Sequence, residues 1–200
     1  MDIIRPALHH VTLKTTRLDE MIAWYGVVIG ARVNFRDAMN AWMTNDAANH
    51  RIALLSAPGL GDDERKSFHN GMHHSAFEYE SFADLMLSYD RMSRAGIEPA
   101  FCLEHGLTIS LYYRDPEGNF VELQSDNFGD WDKSSEWMRT SPVFRENPIG
   151  VFFDPRRVFE AHAAGADFAA LQAAIRAGDY APSAGMPDIG LPMPSPAPAS

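Results

Sequence analysis

Three side chains of this 200-residue sequence, His10, His74 and Glu122, are of the types that hold a redox-active divalent metal. Two imidazoles and one carboxylate on one face of an octahedron leave three coordination positions for substrate and oxygen. That ligand set is typical of non-haem Fe(II) oxygen chemistry. The three residues are far apart along the chain, so the fold would have to bring them together.

Two stretches of the chain, 7–56 and 72–127, repeat one pattern. A strand-like run with a His-His pair opens each copy, and a helical pattern ending in glycine follows over 18–30 and 82–96. Three short strand-like runs complete each copy, near 31–36, 40–45 and 51–56 in the first and near 98–103, 107–114 and 119–125 in the second. The pattern predicts an α+β fold in which two βαβββ modules form a curved mixed sheet that holds a metal.

The alternation of side chains along a strand sorts the polar residues onto one face. The apolar faces must pack against the helices, because that burial drives folding. The opposite, concave face is then predicted to carry His10, His74, Tyr112 and Glu122. The same rule sends His9 and His73 to the other face, and we interpret both as strand-end histidines with a hydrogen bond. Strand alternation alone also allows these four residues of the concave face to be no more than the polar lining of a cleft.

The remaining segments divide the chain further. Residues 1–130 are predicted to form the domain built from the two modules, joined by an exposed loop over 57–71. Residues 131–180 are predicted to be a helical extension, with a start signal at Asp154-Pro155 and a break at Gly165. Residues 181–200 form a Pro-rich tail, which we expect to be disordered or extended on a neighbouring surface.

Composition and net charge limit the partners and the cellular setting that we expect for this protein. The formal net charge is -10 and the sequence pI is about 5.1, so nucleic acid and anionic membranes are not expected as partners. No apolar run is long enough for a bilayer span or a signal peptide. Cys102 is the single cysteine, so no internal disulfide can form and a reducing, cytoplasmic setting is predicted.

Three segments make the sequence recognisable. The runs 8–13, 73–77 and 113–123, the last with Asp-Pro-Glu-Gly-Asn-Phe-Val-Glu, resemble the vicinal oxygen chelate superfamily over about residues 7–127. The resemblance implies paired βαβββ modules with His10, His74 and Glu122 as the metal ligands. The signature is specific for the superfamily but not for one reaction within it.

The ligand count favours one branch of that superfamily. Glyoxalase I and methylmalonyl-CoA epimerase typically take a fourth protein ligand from the first module. In glyoxalase I that ligand lies on the module's last strand, and the matching position here is Ala53 or Leu54, neither of which can bind a metal. A three-ligand site with room for substrate and O2 resembles the one-domain extradiol ring-cleaving dioxygenases.

Further residues match that branch. His50 resembles the extradiol active-site histidine beside the O2 position, and Tyr112 matches the substrate-binding tyrosine. His105 lies near the second outer-sphere histidine, although its spacing to Tyr112 is shorter. The alternatives are a surface histidine at a strand end for His50 and an ordinary half-buried tyrosine for Tyr112. Aromatic residues that suit either a wall for the substrate ring or the core are Trp42, Phe101 and Phe120.

The resemblance implies a catechol-type diol and O2 as substrates and a homo-oligomeric enzyme. The cofactor would be Fe(II), with Mn(II) an alternative that accepts the same ligand set. His50 would stabilise charge on oxygen and pass a proton, while Tyr112 would donate a hydrogen bond to the substrate. Two other functions remain open: another metal-dependent enzyme of the superfamily, such as a lyase, isomerase or thiol transferase, and a non-catalytic small-molecule-binding protein.

Overall fold

The computed structural model of the chain describes residues 3–192. These residues form two compact units. Unit 1 runs to Asp63 and also takes in Asp115–Asn119, whereas unit 2 takes in Glu64–Arg114 and continues from Phe120. Each unit is described by itself. The predicted tail residues 193–200 lie outside the described residues.

Unit 1 is a four-stranded mixed sheet with one helix. Its elements are β1 (Val11–Lys14), α1 (Leu18–Val28), β2 (Arg32–Arg36), β3 (Asn40–Thr44) and β4 (Ile52–Leu55). The strands are ordered β1-β4-β3-β2, with β1 parallel to β4 and the other pairs antiparallel. Met21, Tyr25 and Val28 recur at helical spacing and are buried, so this stripe of α1 packs on the sheet.

Unit 2 repeats that arrangement with one more strand. Its elements are β5 (His74–Tyr79), α2 (Phe82–Arg94), β6 (Phe101–Glu104), β7 (Thr108–Arg114), β8 (Phe120–Asp126) and β9 (Val151–Phe152). The order β5-β8-β7-β6 matches that of unit 1 strand for strand, and β9 adds to the outer side of β6. The predicted pair of βαβββ modules is therefore confirmed, as two hydrogen-bonded sheets.

Four helices follow the second module: α3 (Trp131–Thr140), α4 (Pro142–Glu146), α5 (Pro155–Ala163) and α6 (Phe168–Ala177). Each begins where a side-chain oxygen accepts hydrogen bonds from the first free backbone N–H groups, and these capping residues are Asp130, Ser141, Asp154 and Asp167. The break predicted at Gly165 lies between α5 and α6, where the glycine has a φ of 95°.

This C-terminal part of unit 2 is tied to β6 by a buried carboxylate. Glu104 is 1% exposed and accepts hydrogen bonds from Gln172 at 2.9 Å and Arg176 at 2.8 Å, both on α6. A Cβ at Gly150, just before β9, would lie 2.2 Å from the carbonyl oxygen of Glu104. Glycine is thus required there for β9 to reach the edge of β6.

Two further features follow from burial and helix length. Cys102 on β6 is buried, and that burial raises the pKa of its thiol well above the ordinary value. The thiol therefore stays protonated and unreactive at neutral pH. Among the described residues, no helix is both long and apolar enough to cross a membrane.

Candidate functional site

In unit 2 a chain of hydrogen-bonded side chains is centred on Glu122. Its Oε2 atom lies 3.0 Å from Nε2 of His74, and its Oε1 atom accepts a hydrogen bond of 2.8 Å from the Tyr112 hydroxyl. The same hydroxyl lies 2.9 Å from Nε2 of His105. The direction of this contact is set by the His105 tautomer, because a neutral imidazole has a single N–H and the His105 ring also hydrogen-bonds to the backbone of Ile149.

Strand register explains why these residues meet. β8 lies between β5 and β7, and Glu122 is directly opposite Tyr112 in the β7–β8 register. On its other side Glu122 is opposite Ala76, two residues beyond His74 and on the same face of β5. His105 follows the end of β6, in the turn that leads into β7. The structure thus brings His74, Tyr112 and Glu122 together within this unit.

The charge states of this chain follow from burial and hydrogen bonds. Burial tends to raise the pKa of Glu122, but hydrogen bonds from His74, Ser110 and Tyr112 outweigh it and lower the pKa below the ordinary value. Burial, reinforced by the charge of Glu122, raises the pKa of Tyr112. Burial lowers the pKa of His105 despite the nearby Glu122 carboxylate. At neutral pH the chain is therefore a carboxylate, a neutral phenol and a neutral imidazole.

His74 and Glu122 fit two ligands of one divalent metal. Their facing atoms are 3.0 Å apart, and two ligands at right angles with bonds of about 2.1 Å are themselves about 3 Å apart. The second carboxylate oxygen is held by Tyr112, so the carboxylate is oriented by a neighbour, as metal-binding carboxylates usually are. The nitrogen and oxygen donors are also those that Fe(II) and Mn(II) accept.

Unit 1 holds a cluster of three histidines. His9, His10 and His50 each offer a nitrogen, and these nitrogens lie within 4.8 Å of one another. The ring of His50 lies 4.3 Å from that of His10, measured between centroids. His50 Nδ1 is 2.7 Å from the side-chain oxygen of Asn49, so Nδ1 carries the proton and Nε2 keeps its lone pair. Partial burial, together with His10 and His9, lowers the pKa of His50.

The predicted orientation of His9 and His73 is wrong. Regular pairing starts only at Val11 in β1 and at His74 in β5, so strand alternation does not govern the residues before these positions. His9 Nδ1 lies 3.0 Å from His10 Nδ1, and His73 Nδ1 lies 2.8 Å from His74 Nδ1. The hydrogen-bonded strand-end interpretation holds for His73, whose Nε2 donates to the Ile189 carbonyl at 2.8 Å.

The Asp-Pro-Glu-Gly-Asn signature forms a tight turn in unit 1. The Asp115 carboxylate accepts hydrogen bonds from the backbone N–H groups of Glu117 and Asn119 and from the Tyr25 hydroxyl. Gly118 has a φ of 77°, which favours glycine. The Glu117 carboxylate in turn accepts hydrogen bonds from Thr15 and from the backbone of Thr16. The first five residues of the signature thus form a structural turn, whereas its last residue, Glu122, is the proposed ligand.

The three aromatic residues that suit either a wall for the substrate ring or the core fall into two groups. Trp42 packs on Phe35 in unit 1, with ring centroids 5.5 Å apart. Phe101 and Phe120 belong to a buried cluster with Leu103 and Tyr112, the tyrosine of the Glu122 chain. Phe152 and Ile189 pack against this cluster, and the sequence analysis missed both because neither belongs to a periodic pattern.

The chain is similar to known proteins in both sequence and fold. Two curated relatives are Biphenyl-2,3-diol 1,2-dioxygenase 2 and 3 of Rhodococcus globerulus. The first is 41% identical over 160 residues, 80% of this chain and 83% of the relative, and the second is 40% identical over 162 residues, 81% and 85%.

Among solved structures, the glyoxylase/bleomycin resistance protein/dioxygenase domain from Frankia sp. EAN1pec matches the fold. Its TM-score is 0.53 and its sequence identity 23%, over 64% of this chain and 96% of that domain. The family model of the Glyoxalase/Bleomycin resistance protein/Dioxygenase superfamily matches residues 7–123, which cover the first βαβββ module and the second as far as the middle of β8, with Glu122. The chain therefore belongs to the Glyoxalase/Bleomycin resistance protein/Dioxygenase superfamily.

Proposed function

We propose that this chain is an extradiol ring-cleaving dioxygenase, which inserts both atoms of O2 into a catechol-type aromatic diol. The observation that carries the proposal is the 41% identity, over 80% of the chain, to an enzyme named as a biphenyl-2,3-diol 1,2-dioxygenase. That name places oxygen insertion between carbon 1 and carbon 2, and carbon 1 lies outside the 2,3-diol. Cleavage beside a diol, rather than between its hydroxyls, is the extradiol reaction.

We propose His10, His74 and Glu122 as the ligands of one Fe(II) ion, with Mn(II) as the alternative. The 3.0 Å separation between the facing atoms of His74 and Glu122 supports these two residues as ligands. The superfamily resemblance supports His10. When bound, such an ion acidifies the diol hydroxyls and provides a route for an electron from the ring to O2. Three protein ligands leave positions for both diol oxygens and for O2.

His50 is proposed as the group that moves a proton. Its Nδ1 proton is held by Asn49, and its lowered pKa keeps the imidazole neutral at pH 7, so Nε2 is available as a base. His50 would accept a proton from the diol at Nε2. The resulting imidazolium would stabilise negative charge on oxygen and return the proton when the ring opens.

Tyr112 and His105 are proposed to position the substrate and Glu122. The tyrosine remains a neutral phenol because of its raised pKa, so it can donate a hydrogen bond to the carboxylate or to a substrate oxygen. His105 Nε2 lies 2.9 Å from the same tyrosine oxygen and thereby orients the hydroxyl. Such a donor is effective because it is fixed before the substrate binds.

Anaerobic reconstitution tests the proposal. The purified chain is loaded with Fe(II) or Mn(II) in parallel, mixed with catechol or biphenyl-2,3-diol, and exposed to O2. We expect one O2 consumed per diol and a yellow ring-fission product. His74→Ala should abolish turnover and lower the metal content, whereas His69→Ala, at an exposed loop histidine, should leave both unchanged. If neither Fe(II) nor Mn(II) supports O2 uptake with any of a broad panel of diols, the proposal is overturned.

A further inference from the structure

A short segment near the end of the described chain, Asp188–Gly190, lies across the apolar cluster of unit 2; we term it the strap. The side chain of Ile189 packs against the cluster of Phe101, Leu103, Tyr112 and Phe120. The backbone carbonyl of Ile189 accepts the 2.8 Å hydrogen bond from His73. The strap is therefore in contact with the residue directly before the proposed ligand His74.

Charge and backbone geometry also hold the strap in place. The Asp188 carboxylate pairs with Arg114 at 2.8 Å, and its other oxygen accepts a hydrogen bond of 2.8 Å from the Gly190 N–H. Gly190 has a φ of 73°, and a Cβ at this position would lie 2.3 Å from a ring carbon of Phe120. The strap thus approaches Phe120 more closely than any residue but glycine would allow.

The cluster under the strap adjoins the Glu122 chain. Phe120 is opposite His74 in the β5–β8 register and two residues before Glu122. Phe101 stacks on Tyr112 with ring centroids 4.3 Å apart, and the Tyr112 hydroxyl contacts Glu122. This buried apolar cluster therefore lies one side chain away from His74 and Glu122, two of the three proposed metal ligands.

We propose that the strap forms one wall of the subsite for the aromatic part of the substrate, with Ile189 limiting the size of the ring system. The proposal rests on the proposed function. A diol bound through both oxygens near His74 and Glu122 has apolar carbons on the opposite edge of its ring. Those carbons need apolar neighbours, and the cluster with Ile189 would provide them. The ligand class is thus a monocyclic diol or a diol with a second, linked or fused ring.

Substitution of Ile189 should alter the preference between these two classes. Ile189→Ala removes most of the side chain, so we expect kcat/KM for biphenyl-2,3-diol relative to catechol to rise about tenfold. Ile189→Phe should lower the same ratio. The matched control is Leu191→Ala. This substitution removes an aliphatic side chain of the same stretch, one that is 51% exposed, and the kcat/KM ratio of the two diols should not change.

Two measurements make the test decisive. The kcat/KM ratios are determined for Fe(II)-loaded enzymes, and the Kd of each diol is determined by calorimetry without O2. Should Ile189→Ala fail to fold, Asp188→Asn tests the same wall, because it removes the charge pair with Arg114 but keeps an oxygen for Gly190. Unchanged ratios in an active wild-type background overturn the role of the strap alone. A wild type that neither binds nor cleaves any diol overturns the proposed function, and this inference with it.

Discussion

Replacing Tyr112 with phenylalanine removes the one oxygen atom that joins His105 to Glu122. Two hydrogen bonds are lost, of 2.9 Å and 2.8 Å, and the second has a buried charged acceptor. A bond to a charged group contributes about 2 kcal/mol and a neutral one about 1 kcal/mol. We therefore expect Tyr112→Phe to lower the free energy of unfolding of the metal-free protein by about 3 kcal/mol.

The neighbouring residue provides the matched control. The Tyr113 hydroxyl is buried and has no hydrogen-bond partner within the described part of the chain. Tyr113→Phe makes the same chemical change but removes an unsatisfied group, so stability should be unchanged or rise by about 1 kcal/mol. The two substitutions thus differ in the partners of the oxygen and not in the atoms deleted.

Urea unfolding at pH 7 measures both stabilities, and steady-state turnover of a diol measures the catalytic effect. Loss of a fixed hydrogen-bond donor should lower kcat about 100-fold in Tyr112→Phe, with kcat of Tyr113→Phe unchanged. Equal destabilisation of the two variants would refute the assignment of the Tyr112 hydroxyl as a link between His105 and Glu122. Full activity of Tyr112→Phe would refute its proposed catalytic role.

Three other predictions concern metal binding and stability. Glu122→Gln should purify with little bound iron, as measured by plasma emission spectroscopy, because the neutral amide replaces the anionic ligand. Glu104→Ala should lower the free energy of unfolding in urea by about 3 kcal/mol, since it leaves the partner Arg176 without its buried carboxylate. Glu136→Ala, which breaks an exposed ion pair, should change the same quantity by less than about 0.5 kcal/mol. Burial, and then the neighbouring Asp115 carboxylate, raises the pKa of Tyr25 above its ordinary value of about 10, so the stability from this phenol is fully present below pH 10 and is lost as the pH rises further. Tyr25→Phe should therefore flatten the alkaline decline in unfolding free energy measured by urea titration between about pH 9 and pH 11.

Sequence patterns were sufficient for the modules because hydrophobic periodicity is a local property. The helix predicted over 18–30 is present as Leu18–Val28, and the strand predicted near 119–125 is present as Phe120–Asp126. Strand parity also placed Tyr112 and Glu122 on one face, where they are directly opposite in register. Inside a strand, the backbone pairing enforces the alternation on which that prediction depends.

The same rule failed for His9 and His73 because the first paired residue of a strand cannot be identified from hydrophobicity alone. Pairing starts one or two residues later than the apolar pattern, and the residues before it are free to turn. The strap was missed for another reason. Ile189 lies in a proline-containing stretch without periodicity, and its packing against Phe120 depends on contacts far apart in sequence.

β9 has a consequence for any shortened version of this chain. Its pairing with β6 covers backbone N–H and C=O groups that would otherwise form an open sheet edge. Such an edge can pair with a second molecule and lead to aggregation. A fragment cut at the end of the family match, residue 123, would lose this protection together with three of the partners of Glu104, namely Asn127, Gln172 and Arg176. We therefore expect truncated fragments to be recovered as insoluble material unless residues through α6 are retained.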